Sequence, residues 1–119
     1  MRDNHTKRIM ASGGLALGVS LTIPDPFVAE VVGGAGFDFV LIDAEHSPIA
    51  IDQLQVMLIA LRSSASTVLV RPAANDPALI KQILDLGAEG LVVPEVDDAA
   101  AAAAAVAAAR YPQIGRAHV

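Results

Sequence analysis

Four ionisable side chains stand directly after apolar runs of the chain. Asp43, Glu45 and His46 follow a run rich in aromatic and branched residues, and Arg71 follows the next such run. A carboxylate that is hydrogen-bonded to an imidazole fixes its tautomer and raises its basicity, as a general base requires. A guanidinium at the same edge could bind a carboxylate through two hydrogen bonds or stabilise an enolate. We therefore take these residues as the candidate catalytic set.

Each of these residues also has a purely structural interpretation. Asp43 and Glu45 could cap the next turn while His46 is solvated, and the spacing alone favours that interpretation because Asp-x-x-His is a weak pattern. Arg71 could form a structural ion pair with Asp43 or Glu45. The sequence by itself does not favour the structural or the functional interpretation of Arg71 over the other.

The composition restricts the class of protein. The chain has 119 residues, of which 54% are hydrophobic and 18% charged, as expected for one globular domain. A net charge of -5 and scattered basic residues argue against nucleic-acid binding. With no cysteine, a disulfide framework, a thiolate metal site and a thiol nucleophile are excluded. We expect a cytoplasmic protein, with which this composition is compatible.

The N-terminal region superficially resembles a signal peptide, because Lys7 and Arg8 precede the largely apolar segment 9–21. Glycines and serines interrupt this segment, so we predict a folded strand there instead. The alanine-rich segment 99–109 is too short and too weakly apolar to span a membrane, which takes about 20 residues. We therefore expect a soluble protein without a membrane partner.

The chain alternates strand-like and helical patterns four times. The first strand is predicted over Leu15–Leu21, and later strands over Phe39–Ile42, Thr67–Val70 and Leu91–Val93. Their ends are roughly 25 residues apart, which is typical of βα units. Helices are predicted over Thr6–Met10, from Asp25-Pro26, over Ile51–Arg62, from Asp76-Pro77, and from Asp97 to Arg110. In the third and fourth of these helices, apolar side chains at helical spacing are predicted to face the core, namely Ile51, Leu54, Met57, Leu58 and Leu61, and Ile80, Ile83 and Leu84. Gly33 and Gly34 are expected to end the second of these helices by adopting positive φ.

The strands are uniformly apolar, so helices must cover them. Right-handed crossovers would arrange such units in an open parallel sheet or in a barrel. The fold class is therefore α/β, and periodicity does not choose between the two arrangements.

Several short segments carry a family resemblance when they are taken together and in order. They are Ala35-Gly36-Phe37-Asp38-Phe39, Ile42-Asp43-Ala44-Glu45-His46, Val70-Arg71-Pro72, Asn75-Asp76-Pro77, Leu84-Asp85-Leu86-Gly87-Ala88 and Arg110-Tyr111-Pro112. The set resembles the HpcH/HpaI aldolase family over essentially all of 15–112. The resemblance implies a (β/α)8 barrel and a divalent-metal-dependent (class II) lyase. Such an enzyme cleaves 4-hydroxy-2-oxo acids to pyruvate and an aldehyde.

The resemblance also implies a role for each candidate residue. His46 with Asp43 matches the family's acid-base pair. Arg71 matches the arginine that holds the keto and carboxylate oxygens of pyruvate and stabilises the enolate. Glu45 matches a supporting carboxylate near the waters of the metal, which would be of the Mg, Mn, Co or Zn class.

The resemblance further implies that this chain is incomplete as an enzyme. The family's Glu and Asp metal ligands lie on later strands, and a barrel of this type needs about 250 residues. We therefore expect residues 1–112 to be the N-terminal half of a barrel domain, inactive alone, whose full-length parent is a homo-oligomer. Two alternatives stay open: a non-catalytic βα-repeat fragment, and a related barrel lyase that acts on acyl-CoA esters.

The last residues have a separate interpretation. The segment from Ile114 to Val119 is also the translation of a common sequencing-library adapter, whose preceding bases complete a Gln codon. We therefore expect 113–119 to be adapter read-through, outside the native domain.

Overall fold

Helices and strands alternate along the part of the chain that the computed structural model describes, residues 2–110. The elements are α1 (His5–Ala11), β1 (Gly18–Leu21), α2 (Pro26–Gly33), β2 (Phe39–Asp43), α3 (Ile51–Ala60), β3 (Thr67–Arg71), α4 (Pro77–Asp85), β4 (Gly90–Leu91) and α5 (Ala99–Ala109). The expected read-through segment 113–119 and the last two residues of the expected domain lie outside the described residues. None of the helices within 2–110 is long and apolar enough to cross a membrane.

The four strands form one parallel sheet in the order β1-β2-β3-β4. Each strand is followed by a helix, which gives four parallel β/α units and confirms the predicted α/β class. In the register of β2 and β3, Ile42 lies beside Val70 and Asp43 lies beside Arg71. The residues that follow the two apolar runs are therefore neighbours across the sheet.

One face of the sheet packs against the helices. Its valine and isoleucine side chains are almost fully buried, namely Val40, Ile42, Val68 and Val70. The helices contribute buried side chains at helical spacing, namely Leu54, Met57, Leu58 and Leu61 from α3 and its end, and Ile80 and Ile83 from α4. These stripes confirm the helical periodicity expected for the two helices.

Aspartate caps begin three of the helices. The side chain of Asp25 accepts a hydrogen bond from the N–H of Phe27, and Asp76 does the same for Ala78, with proline in the first turn of each helix.

For α5 the predicted cap, Asp97, was wrong by one residue. Asp98 caps this helix by accepting from the N–H of Ala101, because its carboxylate is the one that reaches the third helical position.

Some predicted boundaries differ from the observed ones. Strand β1 begins at Gly18 instead of Leu15, which is 89% exposed, and β4 covers Gly90–Leu91 instead of 91–93. The predicted reason for the end of α2 was also wrong, because Gly34 has φ -92. Gly33 serves close packing instead, since a Cβ there would lie 2.7 Å from Leu61 Cδ2.

The N-terminal segment closes the amino ends of the strands. Thr6 donates its backbone N–H to Thr67 Oγ1 (3.1 Å) and its hydroxyl to the carbonyl of Asp38 (2.9 Å). Arg2 donates to both carboxylate oxygens of Glu89, just before β4. Because α1 occupies this end of the sheet, the opposite end, where the strands finish, is left for the candidate site.

A substitution at Gly18 tests the packing of the sheet face that turns away from the helices. A Cβ at this glycine would lie 2.2 Å from the ring of Phe39, which fills the space above β1. We expect Gly18→Ala to lower the free energy of unfolding by about 1–3 kcal/mol, the usual cost of overpacking. Urea unfolding would measure it.

The control for Gly18→Ala is Gly34→Ala. At Gly34 the nearest atoms to a new Cβ are 3.7 Å away, an ordinary van der Waals distance. We expect a much smaller change for this variant. Equal effects of the two substitutions would contradict the close approach of Phe39 to Gly18.

Candidate active site

The structure brings the four candidate side chains together at the carboxyl ends of two neighbouring strands. Asp43 is the last residue of β2 and Arg71 the last residue of β3, and the two are paired in the register. Glu45 and His46 lie in the loop that follows β2. In parallel α/β folds, catalytic side chains are commonly found at this end of the sheet, because the packed strand fixes them and the following loop leaves them exposed.

Asp43 and Arg71 form a two-pronged ion pair. Arg71 Nε donates to Asp43 Oδ1 (3.1 Å), and Arg71 Nη2 donates to Asp43 Oδ2 (2.6 Å). The Asp43 side chain is only 5% exposed. The hydrogen bond from Arg71 holds the pKa of Asp43 far below its usual range, and the same bond raises the pKa of Arg71. The ion pair proposed as a structural interpretation of Arg71 is thus formed.

Asp43 also shapes the loop after β2. Its Oδ1 accepts hydrogen bonds from the backbone N–H groups of Glu45 (2.9 Å) and His46 (3.1 Å). Ser47 Oγ donates to the backbone carbonyl of Asp43. Sequence reasoning did not single out Ser47, although a serine before Pro48 is a common turn signal. These hydrogen bonds hold the first turn of the loop against Asp43.

The imidazole of His46 has a different partner from the one that its spacing suggested. His46 Nε2 lies 3.1 Å from Glu45 Oε1, and the side chain is 71% exposed. Asp43 contacts His46 through the backbone N–H instead of the ring. The expectation of an Asp43–imidazole hydrogen bond was wrong because Arg71 and the loop N–H groups occupy the Asp43 oxygens.

N–H donors of Arg71 and the imidazole of His46 stay available for a substrate at the carboxyl ends of the strands. Because Asp43 engages Nε and one Nη2 hydrogen, the Nη1 hydrogens and the second Nη2 hydrogen of Arg71 can bind a further oxygen anion. The Arg71 side chain is 30% exposed, and its Nε lies 3.4 Å from Glu45 Oε1. A fixed positive charge and an exposed imidazole that contact the same carboxylate suit proton transfer from a substrate that carries a carboxylate or a developing enolate.

The described residues do not form a metal site by themselves. Within 2–110 no group of three or more histidine, aspartate or glutamate side chains is placed to hold an ion. Asp43, the most buried carboxylate of the site, already accepts from Arg71 and from two backbone N–H groups. Its oxygens are therefore not arranged for a cation.

The Asp43–Arg71 pair predicts a stability that depends on pH. Since the pKa of Asp43 is lowered by folding, its contribution is complete above the unfolded value of 3.8 and is lost as pH falls below it. We expect the free energy of unfolding of the native chain to fall between pH 5 and pH 3 more steeply than that of Asp43→Asn. Urea titrations at each pH would measure this difference, and parallel slopes for the two proteins would contradict it.

Comparison with known proteins places this geometry in a family. A family model described as HpcH/HpaI aldolase/citrate lyase matches residues 18–118. The chain is 44% identical over 112 residues to a hydroxypyruvate/pyruvate aldolase of Pseudomonas aeruginosa, covering 94% of this chain and 42% of that protein. It is 43% identical over 112 residues to a 4-hydroxy-2-oxo-heptane-1,7-dioate aldolase of Salmonella dublin, with coverages of 94% and 43%.

A solved structure agrees with these relatives. The crystal structure of an HpcH/HpaI aldolase/citrate lyase family protein from Burkholderia cenocepacia superposes with a TM-score of 0.86 at 33% identity. The superposition covers 92% of this chain and 44% of that one, so the chain spans less than half the length of the relatives it matches. The four β/α units thus match part of a barrel. The chain belongs to the HpcH/HpaI aldolase/citrate lyase family and corresponds to an N-terminal portion of its full-length members.

Proposed function

We propose that this chain supplies the acid-base and oxyanion-binding residues of a carbon-carbon lyase. The reaction is retro-aldol cleavage of a 4-hydroxy-2-oxo acid to pyruvate and an aldehyde. The observation that supports it most is that the exposed His46 ring and the Arg71 guanidinium both contact Glu45 at the carboxyl ends of β2 and β3. The aldolase relatives suggest the small oxo-acid substrate.

In this proposal His46 removes the proton from the substrate's C4 hydroxyl. The C3–C4 bond then breaks, its electron pair moves to C3 and the C2 carbonyl to form the enolate of pyruvate, and C4 leaves as the aldehyde carbonyl. The proton that His46 took from the C4 hydroxyl then passes to C3 of the enolate, which completes pyruvate and restores the base. The N–H groups of Arg71 that Asp43 does not engage hold the carboxylate and the C2 oxygen, where the negative charge develops.

Asp43 acts in this proposal through its neighbours. By accepting from both Nε and Nη2, it fixes the plane of the Arg71 guanidinium, and by accepting from the His46 N–H it fixes the loop. Positioning of this kind contributes to rate because reacting groups need not be ordered during the reaction. Asp43 is thus the residue that connects the base with the oxyanion donors.

The metal that the family resemblance implies does not fit the described residues alone. With no cluster of three ligands within 2–110, we assign no reaction step to a metal here. We propose that its ligands belong to later strands of a full-length parent, that Glu45 supports them from this half, and that the parent is a homo-oligomer. Residues 1–112 would then be the first half of the barrel domain, with 113–119 outside it.

The test is a chimaera of family length. Residues 1–110 would replace the matching segment of the Pseudomonas aeruginosa relative, to which this chain is 44% identical. We expect the chimaera to release pyruvate from a 4-hydroxy-2-oxo acid and to lose that activity with a chelator. A folded chimaera that acts only on an acyl-CoA ester, or on neither substrate, would favour the lyase or the non-catalytic alternative.

A further inference from the structure

The guanidinium of Arg2 is bound by oxygen acceptors from two separate segments at the amino ends of β3 and β4. Its Nε and Nη2 donate to Glu89 Oε2 (3.1 Å) and Glu89 Oε1 (2.6 Å). Its Nη1 donates to the backbone carbonyl of Ser64 (2.5 Å), and Nη2 also donates to the backbone carbonyl of Ser66 (2.6 Å). All but one of the N–H hydrogens of this guanidinium are therefore engaged.

Glu89 joins β4 to β3 through both its backbone and its side chain. Its N–H donates to the carbonyl of Val68 (2.8 Å), and its Oε1 accepts from the N–H of Val68 (3.1 Å). At the other end of β4, the N–H of Val92 donates to the carbonyl of Val70 (3.0 Å). Because β4 covers only Gly90–Leu91 and pairs with β3 alone within 2–110, the carboxylate of Glu89 extends a short ladder.

The two carbonyls that accept from Arg2 belong to a segment that other hydrogen bonds already hold. Ser64 Oγ donates to the carbonyl of Gly33 (2.6 Å), and Ser66 Oγ donates to the carbonyl of Phe37 (2.6 Å). Both serines are buried. The acceptor oxygens are therefore in place before a guanidinium reaches them, so binding it does not require this segment to become ordered.

We propose that the carboxylate of Glu89 and the carbonyls of Ser64 and Ser66 form a guanidinium-binding site, the Arg2 site, whose ligand is Arg2 of the same chain and whose occupation holds β4 against β3. The two-pronged pair fixes the carboxylate in the orientation in which Oε1 accepts from the N–H of Val68. An empty site would leave a largely buried carboxylate, only 18% exposed, without its counter-charge.

The rest of the N-terminal segment is held without Arg2. Thr6 donates its backbone N–H to Thr67 Oγ1 and its hydroxyl to the carbonyl of Asp38. Helix α1 should therefore stay in place when the Arg2 site is empty. The expected consequence of removing Arg2 is a local one, confined to β4 and the part of β3 that it pairs with.

The experiment measures amide hydrogen exchange of the 119-residue chain by nuclear magnetic resonance. In Arg2→Ala we expect the exchange rates of the Val68 and Val92 amides to rise by about tenfold or more, as follows from losing hydrogen bonds to a charged group. The Thr6 amide should exchange at its native rate. Arg2→Lys, which keeps the charge and provides the test if Arg2→Ala fails to fold, should also raise the two rates, because an ammonium cannot reproduce the fork.

The matched control is Arg8→Ala. Arg8 forms an ion pair with Asp3 in the same N-terminal segment, but both side chains are largely exposed, at 63% and 69%. Solvent screens such a pair, so its loss contributes little. This variant removes the same charge as Arg2→Ala, and we expect it to leave the Val68 and Val92 exchange rates at their native values.

A chemical rescue tests the site itself. Methylguanidinium, added to Arg2→Ala well below denaturing concentrations, should slow the exchange of the Val68 and Val92 amides again. Methylammonium, which has the same charge without the fork, should not. The double variant Arg2→Ala, Glu89→Gln should not respond to methylguanidinium, because the charged acceptor has been removed.

Three results would overturn the proposal: native exchange at Val68 and Val92 in Arg2→Ala, an equal increase in Arg8→Ala, or an increase that extends to Thr6. Failure of methylguanidinium to slow exchange, or an equal effect of methylammonium, would likewise overturn a site specific for a guanidinium. The measurement contains no substrate, so its result is independent of the proposed lyase activity.

Discussion

His46→Ala in the family-length chimaera is expected to lower the rate of pyruvate release by about 10² to 10⁴, the usual contribution of a positioned base. The exposed imidazole lies at the carboxyl ends of the strands, where both it and Arg71 contact Glu45, and alanine offers no group to take the C4 hydroxyl proton. The decrease should appear in kcat as well as in kcat/KM, because the base acts in the transition state. Steady-state pyruvate release from a 4-hydroxy-2-oxo acid measures it.

The matched control for His46→Ala is His5→Gln. His5 is also a partly exposed histidine with a carboxylate partner, but its Nε2 lies 3.0 Å from Asp38 Oδ1, before β2 instead of after it. Its replacement should leave kcat nearly unchanged. Undiminished release by His46→Ala would falsify the proposed base.

Arg71→Lys is expected to lower kcat/KM by about 10² to 10³, the range that follows removal of an oxyanion donor. The guanidinium binds Asp43 through Nε and Nη2 and keeps further N–H groups for a substrate. An ammonium has three donors on one atom and cannot hold both partners in the same plane. The same pyruvate assay, with substrate varied, separates the effects on kcat and KM.

Lysine is the informative replacement because it keeps a positive charge beside the buried Asp43. Removing the charge altogether would leave that carboxylate unpaired, which typically destabilises a protein by about 3–5 kcal/mol. Arg62→Lys provides the control, since Arg62 is exposed at the end of α3, away from the strand edge. If Arg71→Lys and Arg62→Lys behaved alike, the oxyanion role of Arg71 would have to be abandoned.

The sequence by itself determined the features that depend on short-range patterns. Aspartate followed by proline identified the starts of α2 and α4, because capping involves atoms only two residues apart. The stripe of Leu54, Met57 and Leu61 identified the buried face of α3, because the helical period alone determines which side chains share a face. The ends of the apolar runs also predicted that Asp43 and Arg71 lie at the same end of the sheet, since parallel strands finish there together.

Only the tertiary structure decided which charged groups are partners. Asp43 and Arg71 are 28 residues apart, and the strand register that pairs them depends on the packing of the whole sheet. Once Arg71 and two loop N–H groups occupied the Asp43 oxygens, the imidazole of His46 was left to Glu45, although the spacing suggested Asp43. Such competition among donors from different elements is not encoded in local spacing, because it is settled by distances that exist only after the strands have packed.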